Sequence, residues 1–317
     1  MKRLFLCFAL SIGYLSLFAQ KTQKDIPSFG KLDPSEFTQN DCTYDKDAEA
    51  EVLLDYADMA YIASANLVTT EVQYRVRIKI LKEKGLDRAN ITIPYYHEGN
   101  DEQISRLEAV TFTRDASGAV VSTKLEKNNI YDKKVNKRWS EMVFSMPNVK
   151  VGSVIEYKYK KISKGFNLSN WYFQRDIPVR YSCYNVSLPT FLRFAESARV
   201  YLPVEVKKEE GANKKYQSYI MRNIPALRVE PFMSTPKDYL QKLEFRLMAI
   251  DSPGEPVRNM TSSWKTVGKT LLEDEDFGSV IKKNINLPED MAQKLKGLTD
   301  KHQKMVVIHD YVRQNMI

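Results

Sequence analysis

The 317-residue chain carries 48 Lys and Arg against 40 Asp and Glu, a formal charge of +8, with 43% hydrophobic residues. Its length suits one large domain or two of ordinary size, each with its own core. The basic excess favours anionic surfaces without specifying a fold, and beyond residue 19 no stretch is apolar enough to hold the chain in a membrane.

Residues 1–19 read as a secretory signal peptide: Met1-Lys2-Arg3 is a basic n-region, Leu4 to Phe18 an apolar core, and Ala19 the small residue before the cut. The core falls short of the ~20 residues of a spanning helix. Cys7 lies inside it and leaves with it. Cleavage takes the chain from 317 residues to 298 and, with Lys2 and Arg3 gone, from +8 to +6. The expected location is periplasmic or secreted, which argues against nucleic acid as a partner. Cys42 and Cys183 then stand where disulfides form. They are candidates for one bridge, or else a loop thiol and a small buried strand residue.

Residues 20–45 are polar and without period, an extended lead-in. Glu71 to Leu81 gives the clearest strand: Val72, Tyr74, Val76, Ile78 and Ile80 alternate with Glu71, Gln73, Arg75, Arg77 and Lys79, so one face is expected to be wet. Leu107–Arg114 and Ala119–Leu125 flank Asp115-Ala116-Ser117-Gly118, a hairpin turn. Ser153–Tyr159 alternates again, and strand-like runs recur at Trp171–Gln174, Tyr184–Leu188, Arg199–Leu202, Tyr216–Met221 and Leu243–Ala249. The polar stretch Val206–Lys215 reads as a solvated hairpin tip. These patterns predict a mainly β fold, an antiparallel two-sheet β-sandwich over residues 46–252.

From residue 253 to 317 the period turns helical. Trp264, Val267 and Leu271 share a face, as do Phe277, Val280, Ile281 and Ile285. Pro288-Glu289-Asp290 suits a helix start. Thr299 is the expected N-cap of a last helix striped by Met305, Ile308, Val312 and Met316. That stripe reaches Ile317 without a stop signal, so the chain is expected to be a piece of a longer protein.

Several segments carry a resemblance. They are Asp47–Asp55, the strand and turn from Tyr74 to Gly85, the block Phe144-Ser145-Met146-Pro147-Asn148-Val149-Lys150-Val151-Gly152-Ser153-Val154-Ile155-Glu156-Tyr157, and Trp171 with Asp176-Ile177-Pro178-Val179. Together they resemble a bacterial extracellular domain family of unknown function whose members precede transglutaminase-like, papain-related domains. Trp264 and Lys304–Arg313 look like the helical lead-in to such a domain, which would then be a partner in cis. The resemblance implies a catalytic Cys, His and Asp beyond Ile317, so no residue here inherits a catalytic role.

Chemistry within the chain is sparse. Cys183 lies in a strand-like run and Cys42 in an acidic, polar one, neither of which lowers a thiol pKa. His302 and His309 would share a helix face roughly 10.5 Å apart, too far for one zinc ion with ligands at about 2 Å. His97 sits beside Tyr95 and Tyr96 in an expected loop. The run Lys124–Trp139 is basic with interleaved aromatics, and Tyr131, Lys133, Lys134, Arg138 and Trp139 are its candidate binding residues, for an anionic glycan or a peptide. Neither a Gly-rich phosphate loop nor a CxxC pair occurs, and no cofactor or metal site is expected. The sequence therefore points to an exported, non-catalytic accessory or substrate-presenting module of a transglutaminase-like cysteine enzyme. The alternative is a stand-alone extracellular glycan- or peptide-binding protein.

Overall fold

A computed structural model describes residues 26–64, 67–252, 254–260, 263–274, 277–284 and 286–315. The signal peptide, Cys7, Ile285 and Met316 lie outside the described residues. The chain divides into two compact units, one up to Met260 and one from Thr261.

The first unit is mainly β. After a short helix α1 (Ser35–Thr38) come β1 (Ala50–Ser64), β2 (Leu67–Ile80), β3 (Asn90–Tyr96), β4 (Glu102–Arg114), β5 (Val120–Lys124), β6 (Tyr131–Lys134), β7 (Trp139–Ser145) and β8 (Val154–Lys164). Next follow β9 (Trp171–Tyr172), β10 (Val179–Pro189), β11 (Leu192–Arg199), β12 (Glu205–Glu210), β13 (Lys214–Ile224), β14 (Lys242–Ile250) and β15 (Arg258–Asn259). An eight-stranded sheet runs β12-β13-β10-β1-β2-β8-β4-β5. A second sheet joins β11, β14 and β15, with β9 on β14, and a third runs β3-β7-β6.

The antiparallel, mainly β class is as expected, and the structure adds a third sheet and one parallel pair, β1 with β10. One large core binds the layers: Val76 and Ile78 of the large sheet pack with Ile93 and Phe144 of the third and Leu243 of the second. The hairpin expected at Asp115–Gly118 joins β4 to β5, with Gly118 at φ +85° and Asp115 Oδ1 accepting from Ser117 and Ala119 N–H. At Gly85 a Cβ would stand 2.2 Å from Glu49 O, so the turn after β2 admits no larger residue.

Three expectations need correction. The alternating face of β2 is open at Gln73 but dry toward its end: Arg77 and Lys79 are each 1% exposed, because Lys31, Glu36 and Phe37 lie across them. The stretch 206–215 is the solvated hairpin tip expected, but most of it is strand and not loop, since β12 and the start of β13 pair through it; β12 is exposed at every residue and so shows no apolar period. Arg199–Leu202 is not a strand; the strand is β11, ending at Arg199.

The second unit contains α2 (Trp264–Glu273), α3 (Glu289–Leu295) and α4 (Lys301–Asn315). Ser263 caps α2 by accepting from Thr266 N–H. The cap of α4 is Asp300, whose Oδ2 accepts from Gln303 N–H at 3.0 Å, one residue after the expected Thr299. Met305, Ile308 and Val312 form a stripe on α4, yet all three are exposed.

Candidate functional site

The face of the large sheet that looks toward the core ends in a cleft of about 620 Å³. Its floor is Tyr74 and Val76 of β2 with Tyr157, Tyr159 and Lys161 of β8. Thr92, Ile93 and Pro94 of β3 form one wall, and Asn170, Trp171 and Tyr172 another. Cross-strand pairing puts Tyr74 opposite Tyr159, and their rings stack at 4.8 Å. Trp171 stacks on Tyr184 at 5.0 Å and donates from Nε1 to Ser182 Oγ at 3.0 Å, which locks its ring.

One ion pair is built into the cleft. Arg175 donates from Nε and Nη2 to the two Asp55 oxygens at 2.7 and 2.8 Å. Asp55 is buried, whereas 36% of the Arg175 side chain is open. Burial opposes the Arg175 charge, but Asp55 outweighs it and holds the pKa above the ordinary value. The cleft tyrosines are neutral: burial pushes Tyr74 up to about 12 and raises Tyr157 and Tyr159 as well. They offer ring faces and hydroxyls, not phenolate nucleophiles. Asp176 is taken by Arg88 at 2.6 Å and Lys161 by Glu102 at 3.0 Å, which leaves Lys237 as an open cation on the rim. The lining is aromatic, with the amides of Asn170 and Gln174 and the exposed Lys237 beside the rings.

The thiols are equally unreactive. Both Cys42 and Cys183 are free and buried, so no bridge joins them. Cys42 packs on Ala48 and Leu81, while Cys183 pairs with Tyr56 further along β1. From Ala50 to Tyr56 a strand travels about 20 Å, far beyond the reach of a disulfide. Burial raises both pKa values, Cys183 to about 11. Ser140 Oγ lies 3.1 Å from His97 Nδ1, but Ser140 is buried. That contact and the Tyr95–Asp132 hydrogen bond at 2.8 Å tie the third sheet together. His302 and His309 are exposed on α4, and among the described residues no His, Cys, Asp and Glu cluster could hold a metal.

The sequence-derived binding residues fall in the third sheet, and the structure sorts them. The register Tyr131↔Val143 and Lys133↔Glu141 puts Tyr131, Lys133 and Trp139 on one face. Tyr96 joins them, its ring edge-on to Trp139 at 5.4 Å. Lys134 pairs with Ser140 and belongs to the opposite face. Arg138, in the β6–β7 turn, is held by Glu98 at 3.2 Å. Sequence reasoning missed the cleft itself, because Asp55, Tyr74, Tyr159 and Arg175 share no spacing.

No helix among the described residues is long and apolar enough to cross a membrane. No curated protein matches the chain. Among solved structures, a protein from Parabacteroides distasonis described as a "putative protease" is similar at 18% identity and a TM-score of 0.58. That match covers 84% of this chain and 50% of that one. This chain therefore spans about half the length of that protein, and the likeness is one of fold. An M1 zinc metallopeptidase mutant from Deinococcus radiodurans reaches only a TM-score of 0.29 at 9% identity, over 62% of this chain and 42% of its own, and carries no argument. The family model named Domain of Unknown Function with solved-structure structure (DUF3857) matches residues 68–228, half of the chain, and the protein belongs to that family.

Proposed function

We propose that the chain is an exported, non-catalytic module that holds peptide substrate for a transglutaminase-like cysteine enzyme following it in the same polypeptide. The cleft around Arg175 carries this reading: it offers stacked rings, amides and the exposed Lys237, and Tyr74, Tyr157 and Tyr159 are held neutral by burial. A surface that binds and does not react is what substrate presentation requires. Met305, Ile308 and Val312, apolar and exposed on α4, support a further domain, since such side chains gain from being covered. Export rests on the n-region, core and Ala19 of residues 1–19.

Two measurements test it. The reading frame downstream of Ile317 should encode a helix that begins with Cys, followed by His and Asp; a stop codon there removes the accessory role. In the longer protein, Lys237→Glu should raise KM for a carboxamide peptide about tenfold and leave kcat within about twofold, the pattern of lost ground-state binding. An unchanged KM would detach the cleft from catalysis. N-terminal sequencing of protein from the native host should begin at Gln20, and retention of Met1 would end the export reading.

A second reading has its own observation. Tyr131, Lys133, Trp139 and Tyr96 share one face of the third sheet, a group able to stack on a sugar ring and meet an anionic substituent. On that reading the chain is a glycan-binding protein by itself, and a glycan array with wild type and Trp139→Ala decides it.

A further inference from the structure

The two smaller sheets both end on the cleft. Beside the β3–β7 ladder, Met146 N–H donates to Ala89 O and His97 N–H to Arg138 O. The residues of β3 bonded to β7 are therefore the odd-numbered ones. The main-chain groups of Thr92 and Pro94 point the other way, as Tyr96 shows by donating its N–H to Glu102 Oε2 at 2.9 Å. Pro94 sits on this edge at no loss to the ladder, because the N–H it lacks would have faced outward. On β9 the same logic applies. Phe173 N–H donates to Gln241 O, so Tyr172, the next position, turns its main-chain groups away from β14. Thr92-Ile93-Pro94 and Asn170-Trp171-Tyr172 are both continuous runs of cleft lining. Two strand edges thus border one cavity.

The charge of the lining selects among extended chains. Asp55, Asp176 and Lys161 are each neutralised by a partner. Among the described residues Lys237 has no such partner, and Arg175, though paired with Asp55, keeps a third of its side chain open. We propose that the cleft takes an extended acidic peptide as an added strand, paired to the β3 edge at Thr92 and Pro94 and lying beside Tyr172. The proposal rests on the peptide-presenting reading above and gives it a geometry: main-chain bonds supply affinity, and alternate side chains meet the tyrosine floor.

A library of blocked heptapeptides panned on the purified chain, with recovered sequences titrated by fluorescence anisotropy, tests it. Recovered sequences should be enriched in Asp and Glu. N-methylation of successive peptide amides should weaken binding about tenfold at every second position and little between, since one lost hydrogen bond is worth about that factor. Thr92→Pro should cost a similar factor from the protein side without touching the β7 ladder, and the methylation series needs no protein variant at all. An N-methyl profile without a period of two overturns strand addition while peptide presentation stands. Recovery of neutral or basic sequences overturns the acidic preference. Recovery of no peptide overturns strand addition and peptide presentation together.

Discussion

Where β1, β2 and β8 run side by side around Arg77, both faces of the eight-stranded sheet are buried, and they are buried by opposite chemistry. The inner face is apolar, with Val76, Ile78, Met59 and Tyr184 in the main core. The outer face carries Glu51, Arg77, Lys79 and Glu156, all essentially unexposed. What covers them is the polar segment before β1. Glu36 binds Arg77 Nη1 at 2.8 Å, Lys31 O accepts from Nη2 at 2.6 Å, and Gly30 N–H donates to Glu156 Oε2 at 2.9 Å. Arg75 and Arg77 both meet Glu156, and Arg180 meets Glu51 with help from Tyr44 and Gln39. A face so rich in charge stays buried only while each charge keeps its partner. Loss of a contact on the inner face leaves a cavity; loss of a partner on the outer face leaves a buried charge uncompensated.

The largest expected effect tests that contrast. Glu156→Ala strands Arg75 in a largely dry site, leaves Arg77 with Glu36 as its only acid among the described residues, and should destabilise the first unit by about 3–5 kcal/mol, read from the urea midpoint. A loss below about 1 kcal/mol would mean water reaches this face and the contrast is false. Next is Phe37→Ala. Phe37 is the apolar anchor of the covering segment, packed with Leu53, Val110, Phe112 and Val154. Its loss should cost about 3 kcal/mol and open residues 28–45 to limited proteolysis before the sheet is cut.

Lys79 gives a smaller, pH-dependent effect. Burial lowers its pKa to about 8, from 10.5, with Arg114 adding to the shift. Below pH 8 both states carry the proton and the native state bears the full penalty. Between pH 8 and 10.5 only the unfolded chain keeps the proton, so the native state gains as pH rises. Relative to Lys79→Met, which carries no charge, the wild type should gain up to about 1.4 kcal/mol per pH unit across that window. A constant difference would show that Lys79 keeps its ordinary pKa in the fold, as a well-solvated lysine does.

These effects also mark what could be read from sequence. The alternation of β2 was legible because side-chain period follows directly from the strand. Its burial was not, since the partners of Arg77 lie at Glu36 and Glu156, on segments remote in sequence. β1 escaped notice because it sits between β10 and β2, buried along most of its length, and central strands lose the polar alternation that identifies edge strands. Tyr95 and Tyr96, grouped with His97 in an expected loop, instead end β3, and the place of β3 on a sheet edge makes Pro94 compatible with a strand. The cleft was invisible for the same reason as the buried charges. Asp55 and Arg175 are 120 residues apart, and their meeting depends on how β1 and β10 pair.

The smallest expected change in stability comes at the residue that looks most like a binding group. Trp139 is 44% exposed and rests edge-on against Tyr96, so its removal leaves no buried charge without a partner and no closed cavity. Trp139→Ala should shift stability by only about 0.5 kcal/mol. Any loss of glycan binding in that variant would then belong to the exposed face itself, because the fold beneath it is intact. A shift of about 2 kcal/mol or more would instead make Trp139 part of the core that joins the third sheet to the first. In that case the third sheet would behave as the inner face does, held by apolar contact, and its basic neighbours Lys133 and Arg138 would be solvated charges around a structural ring.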